Sequence, residues 1–303
     1  MLTSPFLYVG DSNYRSIGWA LINAPIATRL HHVEFTDLSR AGFRFAGMTS
    51  YMTFPRHSPR DLRDYDMICE AWCHCFREPD RYIHADVPKA LISYSDFTDY
   101  VRISAHNLNL QARDKFDHDF LYVGASEPWK RVAKNSLLAA RCIPRICREL
   151  HLKALVIDEP PDGFPDTSGI SFIPSLPWDE FLVRLARTRF LFVPNLHDPS
   201  PKILAEAICL DVPLVVNRNI LGGWKYVNAF TGEFFDDMDN VVEAVSQVLS
   251  KPRSPRRWFT ANYGPYRAGQ RLLRLLRSLD PQISEQSHLT ITESTGVLTA
   301  HEL

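Results

Sequence analysis

Short apolar runs of β-type residues alternate with longer segments of helical spacing, and this alternation is the feature that most restricts how the chain can fold. Strands that alternate with helical connections form parallel sheets, because a parallel pair needs a crossover of a dozen or more residues. The second half therefore predicts an α/β unit. Its predicted strands are DFLYVGA (119–125), ALVIDE (154–159), ISFIPSL (170–176), FLFVPN (190–195), VPLVVNRN (212–219) and TGEFF (231–235).

The first half shows the same alternation in a less regular form. Its predicted elements are the strand FLYVG (6–10), a helix from Ser16 to Leu30 interrupted by Pro25, and the strands HHVEFTDL (31–38), DYDMICEAW (64–72) and KALISYSDF (89–97). Two successive βα arrays indicate two domains, which the polar stretch around residues 108–118 would separate. We predict an N-terminal domain over 1–115, a C-terminal domain over 116–264, a basic, Leu-rich closing helix over 265–280 and a disordered tail over 281–303.

Composition and charge disfavour several classes of protein. The chain has 303 residues with 34 Lys and Arg against 35 Asp and Glu, so its formal net charge is −1. A balance this close to neutral does not favour nucleic-acid binding. The opening residues lack the pattern of a signal peptide, no apolar run is long enough to span a membrane, and we expect a cytoplasmic protein. The closing helix is compatible with membrane contact, although packing within the protein explains its apolar face better.

The six cysteines are expected to be reduced thiols, because the sequence has no export signal. Cys69, Cys73, His74 and Cys75 lie close together in the sequence, but a second ligand pair at zinc-finger spacing is missing. We therefore predict no metal site.

The stretch from Phe190 to Ala207 carries the clearest candidate site. A predicted strand ends there, a polar loop follows, and a helix begins near Pro201. Ligands of doubly wound sheets bind beyond the carboxyl ends of strands, and carboxylates in such a place accept hydrogen bonds from sugar hydroxyls. The loop and helix place Asn195, Asp198, Ser200, Pro201 and Glu206 in this region.

Two further segments suit a phosphorylated ligand. In VGASEPWKR (123–131), Gly124 ends a strand, and Lys130 and Arg131 lie at the start of the next helix, where backbone N–H groups and cations can bind a diphosphate. In NRNILGGWKY (217–226), Gly222 and Gly223 allow a close backbone approach to a ligand.

Over residues 119–250 the chain resembles the donor-binding domain of family 4 glycosyltransferases, which are retaining enzymes of the GT-B fold. Gly124 and Lys130 match the glycine of the family pattern and the lysine six residues beyond it, with Ala125 in place of an arginine. Asp198 and Glu206 match a pair of acids separated by seven residues, with aspartate in place of the first glutamate. Further matches are the Ser175–Leu176 peptide, Pro201 and the Gly222–Gly223 loop, whereas Tyr226 stands where the family often has glutamate.

The resemblance implies a GT-B protein, with two Rossmann-like domains whose parallel sheets face a central crevice. It implies that Glu206 holds the ribose, Asp198 the transferred sugar and Lys130, with Arg131, the diphosphate, while the peptide at Ser175 and Leu176 contacts the nucleobase. It also implies a nucleotide-diphosphate sugar as donor substrate, with neither metal nor other cofactor. In the N-terminal domain, His74 is the candidate for a residue near the sugar.

The resemblance leaves three functions open. The first is a retaining glycosyltransferase acting on a glycan, lipid or protein acceptor. The second is a nucleotide-sugar or glycan binding protein with a decayed site, which the departures at Ala125, Asp198 and Tyr226 favour. The third, a nucleotide-sugar 2-epimerase, would need further acids and histidines in the N-terminal domain, and we do not find that pattern.

Overall fold

The computed structural model describes residues 4–50, 54–55, 63–108, 116–160, 164, 169–285 and 288–293. The strands are β1 (Phe6–Gly10), β2 (Ser16–Ile22), β3 (Arg44–Met48), β4 (Trp72–His74), β5 (Lys89–Leu91), β6 (Phe120–Val123), β7 (Ala154–Ile157), β8 (Ile170–Ile173), β9 (Phe190–Val193), β10 (Leu214–Asn217), β11 (Gly232–Phe235) and β12 (Thr290–Glu293). The helices are α1 (Arg29–Arg40), α2 (Tyr65–Ile68), α3 (Tyr100–Leu108), α4 (Pro128–Ala133), α5 (Ser136–Leu150), α6 (Trp178–Ala186), α7 (Lys202–Cys209), α8 (Val241–Ser250), α9 (Pro255–Asn262) and α10 (Pro265–Arg277).

The chain divides into two compact α/β units. Unit 1 comprises Met1–Phe97 and Tyr263–Leu303, and unit 2 comprises Thr98–Asn262. These limits differ from the predicted domain boundaries, because α3 packs against α6 and α7 of unit 2, and α10 packs against β5 and β12 of unit 1. In the described part of the chain, no helix is both long and apolar enough to cross a membrane.

Unit 2 contains the all-parallel sheet that the sequence predicts. Its strand order is β11-β10-β9-β6-β7-β8, with every neighbouring pair parallel. Strands β7, β9 and β10 are buried along their whole length, as expected of strands covered on both faces. Helices α5 and α8 pack together over one face, where their apolar side chains join those of the strands in a single core. The chain reverses its direction of winding between β6 and β9.

Unit 1 contains a mixed sheet of order β12-β1-β2-β3-β4-β5. Strands β2 to β5 are parallel, whereas β1 pairs antiparallel with both β2 and β12. The prediction of a parallel sheet therefore holds for the β2–β5 part of this unit and is wrong for β1 and β12.

The predicted helix from Ser16 to Leu30 and the predicted strand 31–38 are both wrong. Asp11 closes a tight turn, because its Oδ1 accepts from the backbone N–H of Arg15 at 3.0 Å, and the chain returns as β2. Residues 31–38 belong to helix α1, whose first turn is capped by Thr28 Oγ1, which accepts from His31 N at 3.2 Å. His31 and Leu38 are buried on one face of α1. We had interpreted the helical spacing of this segment as the alternation of a strand.

Four further regions differ from prediction. Residues 65–68 form α2, so that the strand predicted over 64–72 is reduced to β4, and the strand predicted over 89–97 is limited to β5. Strand β3 was not predicted. Strand β12 lies in the tail that we predicted to be disordered. It forms because the free edge of β1 supplies hydrogen-bond partners and Leu289 is buried beside it. Residues 286–287 and 294–303 of that tail lie outside the described residues.

Candidate functional site

A cavity of about 390 Å3 lies within unit 2, at the carboxyl ends of β6, β7 and β9. This is the point at which the strand order reverses, where doubly wound sheets bind ligands. The ends of the strands give it an apolar floor, and the following loops and helices α6 and α7 supply polar groups. It is lined by Tyr122, Val123, Lys134, Ile157, Asp158, Ser175, Leu176, Trp178, Phe181, Phe192, Val193, Asn195, Asp198, Lys202, Ile203 and Glu206.

Asp198 lies in the loop after β9, and the loop itself holds its side chain. One carboxylate oxygen accepts from Ser200 N at 3.2 Å, and the other accepts from Asn195 Nδ2 at 3.3 Å. Burial raises the pKa of Asp198, while those two hydrogen bonds and the charge of Lys134 act in the opposite direction. The carboxylate therefore has a fixed position and is incompletely solvated, which makes it a strong acceptor for a hydroxyl group.

Glu206 lies on α7, and Trp178 at the start of α6 orients it. The indole Nε1 donates to Glu206 Oε1 at 2.9 Å. Burial raises the pKa of Glu206, and the hydrogen bond from Trp178 and the charge of Lys202 oppose this effect. One carboxylate oxygen is thus held by the protein, and the group retains acceptor capacity for a ligand.

Lys134 is the less exposed of the two lysines that line the cavity. Its Nζ donates to Gly124 O at 2.5 Å and to Val123 O at 3.3 Å, both at the carboxyl end of β6. Burial lowers the pKa of Lys134, whereas the nearby carboxylates of Asp158 and Asp198 favour its charged form. An ammonium group fixed in this way is suited to bind an anion that enters the cavity.

Lys130 and Arg131, the predicted phosphate ligands, do not line this cavity. Lys130 Nζ pairs with Glu127 at 2.7 Å, and Arg131 pairs with Glu159 at 2.6 Å. The short helix α4 separates Gly124 from Lys134, which lies between α4 and α5. The next residue, Asn135, has a left-handed backbone conformation with a φ of 52°. Counting six residues from Gly124 therefore stops one helical turn before the cation that reaches the cavity.

The predicted glycines have packing functions in unit 2. A Cβ on Gly124 would lie 2.1 Å from Glu159 O, and one on Gly222 would lie 1.8 Å from Pro199 O. Gly223 has a φ of 75°, and a Cβ there would lie 2.6 Å from Pro201 Cγ. These contacts explain the three glycines without a ligand. The ligand-binding role of the glycines and of Pro201 stays a prediction.

The remaining predicted residues are divided between the two units. Ser175, Leu176 and Asn195 line the cavity together with the two acids, whereas Ser200 contributes its backbone N–H to Asp198. His74 is the last residue of β4 in unit 1, where it is buried and stacks on Phe76 at 6.4 Å between ring centroids.

Sequence reasoning did not assign Lys134, Asp158, Trp178 or Lys202 to the site, although all four line the cavity. Asp158 follows β7 directly and has a φ of 73°, an uncommon conformation for a residue other than glycine. Trp178 follows the proline that begins α6. The signal for both was available, since each lies at the carboxyl side of a correctly predicted strand.

The cysteines contribute nothing to this cavity. All six are buried and none forms a disulfide. Among the described residues, no group of three His, Cys, Asp or Glu side chains is placed to hold a metal ion.

No known protein-family model matches the chain, and no curated protein matches its sequence. Solved structures do match it. The Anabaena protein HepE, solved with UDP and glucose, has a TM-score of 0.57 at 12% identity, over 85% of this chain and 78% of that protein. A glycosyltransferase of avilamycin A biosynthesis has a TM-score of 0.56 at 18% identity, over 78% and 68%. This chain has the GT-B fold.

The GT-B fold does not by itself select a reaction. A UDP-N-acetylglucosamine 2-epimerase proposed for Listeria monocytogenes matches with a TM-score of 0.52 at 10% identity, over 86% of this chain and 75% of that protein. The function of this GT-B protein must therefore be inferred from its own cavity.

Glutamine in place of Glu206 is expected to stabilise unit 2 at neutral pH. Because burial raises the folded-state pKa above the ordinary value of 4.5, the stability that this group contributes is complete at low pH and is lost as the pH rises through the folded pKa. Glutamine does not ionise, so Glu206→Gln removes this loss of stability at high pH. The melting temperature of the variant should exceed that of the wild type by about 2 °C at pH 8 and approach it at pH 4. Glu180→Gln, at an exposed glutamate of α6, is the control. An advantage of Glu206→Gln that is largest at pH 4 would contradict the expectation.

Proposed function

We propose that this chain is a retaining glycosyltransferase that transfers a sugar from a nucleotide-diphosphate donor, held in the cavity of unit 2, to an acceptor hydroxyl. The observation that carries the proposal is the combination of two partly desolvated carboxylates, Asp198 and Glu206, with the half-buried ammonium group of Lys134 in a single cavity. Carboxylates suit the hydroxyl groups of two sugars, and the ammonium group suits the diphosphate between them.

In this proposal each group of the cavity binds one part of the donor. The peptide at Ser175 and Leu176 contacts the nucleobase, Glu206 accepts from the ribose hydroxyls and Asp198 accepts from the hydroxyls of the transferred sugar. Lys134 takes the phosphate role that the sequence pattern assigned to Lys130. The apolar floor excludes water, which strengthens each of these interactions.

In the transfer step, the bond from the anomeric carbon to the diphosphate oxygen breaks and a bond to the acceptor oxygen forms on the same face. The diphosphate leaves with the electron pair, and its departing oxygen takes the proton that the acceptor hydroxyl gives up. Negative charge therefore grows on the diphosphate during the step. A fixed Lys134 ammonium group stabilises the transition state more than the ground state, which is the condition for catalysis.

Thermal-shift measurements against UDP, GDP, ADP and their sugars test the proposal. A ligand present at 100 times its dissociation constant stabilises the folded state by about 2.7 kcal/mol. The expected result is a rise of about 5–10 °C in melting temperature with one nucleotide class and little rise in Glu206→Gln. Absence of any shift in the wild type would overturn the proposal.

A nucleotide-sugar binding protein without turnover is the second candidate. It is favoured by the ion pairs that occupy Lys130 and Arg131 and by Tyr226, which is buried in the core beside Phe259 at 6.0 Å between ring centroids. The two candidates are distinguished by incubating the protein with a nucleotide sugar in the absence of acceptor and measuring the slow release of free nucleotide. An enzyme releases nucleotide and the sugar as hydrolysis product, a binding protein releases neither, and an epimerase changes the sugar without hydrolysis.

A further inference from the structure

Trp178 contacts the cavity and Glu206 at the same time. It lines the cavity as the first residue of α6, and its indole N–H donates to Glu206 Oε1 at 2.9 Å. An indole nitrogen is only a donor, so the polarity of this hydrogen bond is unambiguous and its acceptor is the carboxylate.

The ring of Trp178 is in turn held by α3. Arg102 Cζ lies 4.7 Å from the centroid of the ring, and His106 meets the ring edge-on at 5.8 Å. His106 Nε2 also lies 3.1 Å from Asp179 Oδ1, so that α3 is joined to the residue next to Trp178. These contacts leave the indole little freedom to turn its N–H away from Glu206.

We propose that Trp178, held in place by Arg102, is a positioning residue that aims the Glu206 carboxylate at the ribose and thereby sets selectivity for a ribonucleotide. The inference rests on the proposed function, since it assumes that the cavity binds a nucleotide. Neither residue reacts, and both act through Glu206.

The physical reason is preorganisation. A glutamate side chain has three rotatable bonds, and ordering it on binding would lower the affinity. With Oε1 fixed by Trp178, the carboxylate is ordered before the ligand arrives and its remaining lone pairs can accept from the vicinal hydroxyls of a ribose. Arg102 adds a cation over the ring, which restrains the ring without touching Glu206.

The test compares a nucleoside diphosphate with its 2′,3′-dideoxy analogue. The probe is whichever of UDP, GDP and ADP binds the wild type most tightly, and dissociation constants are measured by calorimetry. Trp178→Phe keeps an aromatic ring under Arg102 and removes the N–H donor. It is expected to weaken diphosphate binding about tenfold and to leave binding of the dideoxy analogue within about twofold, so that the ratio of the two affinities decreases about tenfold.

Three further variants complete the test. Arg102→Met should reduce the ratio of diphosphate affinity to dideoxy-analogue affinity about threefold. This variant tests the inference if Trp178→Phe fails to fold. In a Glu206→Gln background, Trp178→Phe should reduce the ratio much less, because both changes act through one carboxylate. Trp129→Phe, at an exposed tryptophan of α4, should leave the ratio unchanged.

The outcomes separate the two proposals. If the wild type binds none of the three diphosphates, the proposed function fails, and this inference fails with it. If the wild type prefers the ribonucleotide and folded Trp178→Phe and Arg102→Met keep the wild-type ratio, the positioning inference is overturned while the proposed function stands. A parallel loss of affinity for both ligands would show a merely structural role and would also overturn it.

Discussion

Replacing Lys134 by methionine is expected to weaken binding of a nucleoside diphosphate about 10- to 100-fold and to leave binding of the corresponding nucleoside almost unchanged. The reason is that Lys134 places its ammonium group inside the cavity, where Nζ is held by Gly124 O at 2.5 Å and the carboxylates of Asp158 and Asp198 lie nearby. Methionine keeps the apolar stem and removes the charge. Calorimetric titration of the wild type and the variant with both ligands measures the difference.

Two other lysines make this prediction specific. Lys153→Met, at an exposed lysine of unit 2, is the neutral control. Lys130→Met separates the structural assignment from the family pattern, because Lys130 pairs with Glu127 at 2.7 Å and does not line the cavity. We expect it to change diphosphate affinity by less than about threefold. A larger loss in Lys130→Met than in Lys134→Met would return the phosphate role to Lys130.

The fold of unit 2 could be predicted from the sequence because its central strands are buried on both faces. Strands such as β9 and β10 appear as continuous apolar runs bounded by turn residues, and the helices between them have clear apolar faces. Each local signal there agrees with the tertiary structure. The GT-B fold is accordingly confirmed.

Unit 1 was predicted less well because its local signals are ambiguous. Residues 31–38 contain apolar and polar side chains whose order fits a strand as well as a helix, and the capping bond from His31 N to Thr28 Oγ1 decides for the helix. Strand β12 shows a second cause. Its sequence, TITE, contains β-branched residues but is short and lies within a polar tail, and it is ordered through pairing with the edge of β1.

The candidate site was predictable in its position but incompletely in its members. Asp198 and Glu206 were singled out because their spacing follows the family pattern, and both line the cavity. Lys134 was not assigned the phosphate role, because the count of six residues from Gly124 ends at Lys130 within α4, whereas Lys134 lies just after that helix. Trp178 was missed because its contribution depends on a contact between α6 and α7, which only the tertiary structure supplies.

Gly222→Ala is expected to destabilise unit 2 by about 3 kcal/mol or more, which would lower its melting temperature by roughly 6–12 °C. A Cβ at this position would lie 1.8 Å from Pro199 O and 2.4 Å from Pro199 C, so that backbone must move to admit it. The same loops are joined by the bond from Gly222 N to Asp198 O at 2.9 Å. Displacement of Pro199 would therefore also shift Asp198, and nucleotide-sugar binding should weaken in any variant protein that still folds.

Gly42→Ala is the matched control, because Gly42 has a φ of 82° and a Cβ added there would meet no heavy atom within 4 Å. Its cost is the left-handed backbone alone, about 1–2 kcal/mol, and it belongs to unit 1, whereas the Asp198 loop belongs to unit 2. Chemical denaturation measures both variants against the wild type. If Gly222→Ala cost no more than Gly42→Ala, the close approach of the Gly222–Gly223 loop to Pro199 would not be a constraint. The alternative, that these glycines are present to admit a ligand, would then gain support, because a ligand-facing glycine loses binding on substitution while the free protein keeps its stability.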